Sequence, residues 1–129
     1  MNKKEFIVKL EEINWPKEEY IILSGGSLLI RGLRETTADV DIKMTKRLAR
    51  EINLYDCPQD EGGYYQPLEN VQATDDFGET EFDIVDGYQC ESLESILAFK
   101  KQKMRPKDLK DIEKIEAALK REEPHGGNI

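Results

Sequence analysis

The sequence predicts an α+β domain, with helices packed on a small mixed sheet. Two observations carry this. Apolar residues recur at helical spacing near both ends of the chain, and the stretches between them alternate apolar with polar. The resulting order is helix, strand, helix, strand, helix, strands and then paired helices. The 129 residues suit one domain, expected over 1–123, with 124–129 as a loose tail.

Phe6, Leu10 and Ile13 predict a first helix over 3–13, with Asn2 as its cap. Pro16 breaks it, and "YIILSGG" reads as a buried strand ending in glycine. A short helix over Ser27 to Gly32 follows, then a turn at "RETT". "DVDIKM" alternates as a strand, and Thr45 caps a helix that carries Leu48 and Ile52 on one face. Residues 55–70 are rich in turn formers and predict a long connection. "NVQAT" and "ETEFDIVD" both alternate, with "DDFG" between them as a hairpin turn. Ser92 caps a helix running to about Met104. Pro106 and Asp108 open another that runs to about Lys120.

Composition narrows the function. Charged residues make up 36% and hydrophobic ones 38%, as in ordinary globular proteins. A net charge of -8, from 19 basic and 27 acidic side chains, argues against a surface that grips nucleic acid throughout. No apolar run is long enough for a membrane span, and the N-terminus lacks the apolar centre of a signal peptide. A cytoplasmic location is therefore expected. Cys57 and Cys90 are read as free thiols.

The chemistry centres on acidic positions. Asp39 and Asp41 leave the same face of the predicted strand, roughly 7 Å apart at their Cα atoms, while Val40 and Ile42 serve the core. Such carboxylates repel each other, and magnesium, held by a few carboxylates with water and phosphates, relieves the repulsion. Asp83 in "EFDIV" completes a three-carboxylate set if its strand neighbours "DVDI". In "SGGS", Gly25 and Gly26 let backbone N–H groups approach a phosphate, and Ser27 adds a hydroxyl. Lys100 sits within the stripe Leu93, Ile96, Leu97 and Met104, so its amine is expected to reach an anion at this site.

"GGSLLIRGLRETTADVDI" and "FDIVDGYQCESLESILAFKKQKMRPKDLKDI" resemble the signature of the nucleotidyltransferase superfamily of the polymerase-β type. The likeness covers roughly residues 20–43 and 80–112. It is nearest to the minimal prokaryotic nucleotidyltransferases and their abortive-infection and toxin–antitoxin relatives. The resemblance implies that Gly26 and Ser27 hold a nucleoside triphosphate, that Asp39 and Asp41 bind two magnesium ions, and that Asp83 is the third carboxylate and base. Arg34 and Thr37 are expected to brace the turn before the Asp-x-Asp strand. The long acidic interval between Asp41 and Asp83 departs from the pattern.

Two functions follow as expectations. One is transfer of a nucleoside monophosphate from a nucleoside triphosphate to a hydroxyl of tRNA, protein or a small molecule, releasing pyrophosphate. The other is a catalytically silent interaction module, such as a toxin–antitoxin component. RNA binding through the basic 100–110 segment is weaker, because that segment shows no aromatic stacking platform.

Overall fold

The computed structural model describes residues 1–122 and has five α-helices with a six-stranded mixed sheet, an α+β structure. The described residues fall into two compact units, one over residues 1–91 and one from Ser92 onward. Among the described residues no helix is long and apolar enough to cross a membrane.

The first unit opens with α1 (Lys3–Ile13). The Asn2 side chain accepts from the Glu5 N–H, and the Glu5 carboxylate accepts from the Asn2 N–H, both at 2.9 Å. The helix leaves through Asn14 in the left-handed region and buries Phe6 and Leu10. Then come β1 (Tyr20–Ile22), α2 (Ser24–Ile30), β2 (Val40–Met44) and α3 (Lys46–Glu51), the last capped by Thr45. Helix α2 starts three residues before the expected Ser27, so the glycine pair lies within the helix. Strands β3 (Tyr65–Leu68), β4 (Val71–Thr74), β5 (Phe82–Val85) and β6 (Tyr88–Glu91) complete the unit.

The sheet order is β3-β4-β2-β1-β6-β5. Strand β1 pairs antiparallel with β2 and parallel with β6, while β2 pairs parallel with β4. Phe6, Ile22, Ile42, Met44, Val71, Ala73 and Cys90 share one core under α1 and α2. Cys57 and Cys90 are free thiols.

Three expectations are corrected. Strands β4 and β5 form no hairpin and lie in opposite halves of the sheet, because each finds a better partner. Strand β5 pairs with β6 through the Asp86–Gly87 turn, where both residues have positive φ. Strand β6 itself was unexpected, although the Asp-Gly dipeptide is its signal. The 55–70 connection contains β3, which pairs antiparallel with β4 across Glu69 and Asn70.

The second unit is a helix pair, α4 (Leu93–Lys103) and α5 (Leu109–Glu122), joined by a 3₁₀ turn over Pro106–Asp108. The Ser92 hydroxyl caps α4 by accepting from the Ser95 N–H at 3.1 Å, and Met104 ends the helix in the left-handed region. Met104, expected on the buried stripe, is exposed.

Close packing explains one glycine of the pair. A Cβ on Gly26 would stand 2.6 Å from Phe6 Cζ and 2.7 Å from Ile22 Cγ2, both fully buried. A Cβ on Gly25 would meet the end of the exposed Arg34 side chain at 2.6 Å, which can move. Gly26→Ala should therefore destabilise the chain by about 1–3 kcal/mol through overpacking. Gly25→Ala should cost clearly less. Urea unfolding of the two variants checks the difference.

Candidate functional site

Pairing register decides which carboxylates meet. Ile42 lies opposite Ile22, Ile22 opposite Cys90, and Cys90 opposite Asp83. Residues directly opposite in a sheet share a face, so Asp83 belongs to the Ile42 face at the edge strand. Asp41 projects from the other face. The structure does not bring Asp83 to Asp39 and Asp41. Asp83 instead pairs with Arg31 at 3.0 Å, and Arg31 also donates to the Glu91 carbonyl and to Ser27 Oγ. One residue of register separates the two outcomes, since successive side chains alternate faces.

The same register places Glu91 on the Asp41 face. It follows Cys90 on β6, and β6 is separated from β2 only by β1. The Ser24 N–H donates to Glu91 Oε1 at 2.9 Å, while the preceding Leu23 N–H donates to the Asp41 carbonyl at 2.9 Å. Glu91 was missed because no strand was expected there. Given the Asp-Gly hairpin turn, alternation along "YQCE" would have found it.

Asp39 precedes β2 and Asp41 lies within it; both are half-buried. Asp41 Oδ1 is buried without a hydrogen-bond partner among the described residues. Burial, and then the Asp39 charge, push the Asp41 carboxyl above the usual carboxylate range. Among the described residues no group of three or more His, Cys, Asp or Glu side chains forms a ready metal cage. Magnesium needs no such cage, because one or two carboxylates with water and substrate phosphates normally hold it. Two adjacent carboxylates, one with an orphaned oxygen, fit that requirement.

Tyr64 is a second residue that sequence reasoning passed over. Tyr65 pairs with Ala73, which pairs with Ile42, so Tyr65 faces the core and Tyr64 faces the Asp41 side. Burial raises the Tyr64 phenol above its ordinary value, followed by the charges of Asp41, Glu91, Asp60 and Asp76.

The remaining expected site residues have internal partners. Ser27 is fully buried, and its hydroxyl donates to the Glu91 carbonyl at 2.8 Å, fastening α2 to β6. Gly25 and Gly26 are buried in α2, with Gly25 beside Arg34 and Thr37. Lys100 is buried as its stripe predicts, yet its amine meets Asp108 at 3.4 Å and Asp111 at 3.2 Å within its own helical unit. Neither carboxylate belongs to the expected cluster. Lys101 and Lys103 are exposed, and Lys101 pairs with Glu116 at 2.8 Å. Asp108 also accepts from Arg105, which with Lys100 holds its carboxyl down at about 2.

No family model, curated protein or solved structure matches this chain.

Three predictions follow from these charges. A raised carboxyl pKa in the fold means that the protonated form folds better, a contribution lost as pH rises through the folded value. Asp41→Asn should therefore match or exceed the wild type in denaturant midpoint at neutral pH. The difference should shrink as pH is lowered toward the ordinary carboxylate range.

Lys100→Met removes the cation from a buried pair and should destabilise the chain by about 3 kcal/mol, with Arg105 still supporting Asp108. Asp108 has the opposite sign to Asp41. Its lowered pKa contributes stability above the ordinary value of 3.8 that is lost as pH falls toward about 2. Acid unfolding of wild type and Asp108→Asn checks this, since the variant should lose that part of the pH dependence.

Proposed function

We propose that this chain is a magnesium-dependent nucleotidyltransferase, moving a nucleoside monophosphate from a nucleoside triphosphate to a hydroxyl acceptor with release of pyrophosphate. The observation that carries it is Asp41, whose buried oxygen has no hydrogen-bond partner among the described residues and whose charge is opposed by neighbouring Asp39. An unpaired buried acceptor costs about 1–3 kcal/mol, and a divalent cation both satisfies it and offsets the repulsion. The motif "GGSLLIRGLRETTADVDI" gives the cation its purpose, since in the superfamily it resembles that pair serves phosphoryl chemistry.

In this reading Asp39 and Asp41 hold magnesium. When bound, the metal polarises the phosphoryl oxygens and neutralises charge on the departing pyrophosphate. Glu91 takes the place the resemblance gives to Asp83, accepting the proton of the attacking hydroxyl. Ser27 acts through Glu91, because its bond to the Glu91 carbonyl fixes the end of β6. Gly26 serves packing, and Lys100 stabilises its own unit. A cytoplasmic location, where nucleoside triphosphates are available, fits this reading.

A second reading, a silent interaction module, is favoured by one observation. Asp83, Ser27 and Lys100 all have structural partners. A module that kept the fold for binding a partner protein would use them in this way.

Calorimetry with each nucleoside triphosphate separates the two. The transferase should bind nucleotide with magnesium and only weakly in chelator. Asp41→Asn should remove the magnesium effect while staying folded. Labelled triphosphate should yield transferred nucleotide, with Glu91→Gln lowering the rate about a hundredfold or more and Asp83→Asn leaving it nearly unchanged. Equal affinity with chelator present overturns the transferase reading.

A further inference from the structure

The reaction proposed above needs a hydroxyl beside the acidic pair, and the chain supplies one. Tyr64 projects from the same side of the sheet as Asp41, just before the first residue of β3. Its backbone is fixed from both directions: its N–H donates to Asp60 Oδ1 at 2.9 Å, and its carbonyl accepts from the Asp60 N–H at 2.8 Å. Its phenol lies within electrostatic reach of Asp41 and Glu91, yet neither carboxylate is hydrogen-bonded to it.

Three other hydroxyls near this face are engaged. Ser27 donates to the Glu91 carbonyl, Thr80 accepts from Lys43 Nζ at 2.8 Å, and Thr74 accepts from the Asp76 N–H at 3.1 Å. A phenol is also a chemically suitable acceptor, because phenoxide forms a stable phosphodiester with a nucleoside monophosphate.

We propose that Tyr64 is the acceptor of its own chain's transfer, so that the protein nucleotidylates itself. This rests on the transfer reading above. The co-reactant is a nucleoside triphosphate. Tyr64 Oη forms a bond to the α-phosphorus as the bond from that phosphorus to the bridging oxygen breaks, and pyrophosphate leaves with that electron pair. The phenolic proton passes to the Glu91 carboxylate and then to solvent. No oxidant or reductant is involved. The product carries a phosphodiester charge on a face already holding Asp41, Glu91, Asp60 and Asp76, which repels a second triphosphate. Modification therefore stops at one nucleotide per chain and silences the site.

The test is incubation of the full chain with magnesium and each labelled nucleoside triphosphate, followed by intact mass and peptide mapping. The expected result is a gain of one nucleoside monophosphate on the peptide holding Tyr64. Tyr64→Phe should lose that gain while keeping magnesium-dependent nucleotide binding by calorimetry, which also shows that the variant folds. Tyr65→Phe, on the opposite face, should still be labelled. Nucleotide bound but Tyr64 unmodified, label on another residue, or label undiminished in Tyr64→Phe each overturns the self-acceptor while leaving transfer standing. Wild type that binds no nucleotide with magnesium present overturns both.

Discussion

The acidic face depends on where β1 stops. Two consecutive amides at its end, of Leu23 and Ser24, bind two different strands: the first donates to the Asp41 carbonyl and the second to the Glu91 carboxylate. That turn holds Ser24 at φ 38, a left-handed conformation in a residue with a side chain. Such strain persists only where the surroundings over-determine it, and here β2, β6 and α2 all fix the same few atoms. The turn thus sets the lateral position of both carboxylates before any ligand is involved.

Period-two geometry does the rest. Burying Val40, Ile42 and Met44 under α1 and α2 forces Asp41 and Lys43 to the opposite face. The parallel pairing of Ile22 with Cys90 carries the alternation to β6, so Glu91 follows Asp41 while Asp83 follows Ile42. A one-residue slip would exchange Glu91 for Asp83 and would also pull Cys90 and Tyr88 out of the core. The hydrophobic effect therefore selects which carboxylate shares the Asp41 face, since only one register buries both residues.

This explains what the sequence could reveal. Caps at Asn2, Thr45 and Ser92 are local, with donor and acceptor within three residues, and so α1, α3 and α4 were legible. The face of Asp41 was legible for the same reason, as alternation is a property of a single strand. Strand neighbours are not local. Nothing in "EFDIV" states that it pairs with "YQCE" rather than "NVQAT", and the choice decides the face on which Asp83 emerges. Lys100 shows a related limit. The helical stripe correctly places its backbone inside, but the anion it meets depends on the turn at Arg105 that brings Asp108 and Asp111 back over α4.

Charge is handled differently in the two units. In the helical unit, Lys100 and Arg105 answer Asp108 directly, and Lys101 pairs with Glu116. In the sheet unit, structural carboxylates are likewise answered: Glu19 is buried against Arg47 and Thr45 Oγ1, and the exposed Asp83 pairs with Arg31. Asp41 is the exception, half-buried beside Asp39 and opposed by it. Among the described residues, a fold that neutralises buried charge so consistently leaves this one oxygen without a hydrogen-bond partner. Natural proteins retain such local cost at sites where a ligand completes the electrostatics. The cost is borne on the face that also carries Glu91 and Tyr64, which is where a cation and a phosphoryl group would convert repulsion into binding.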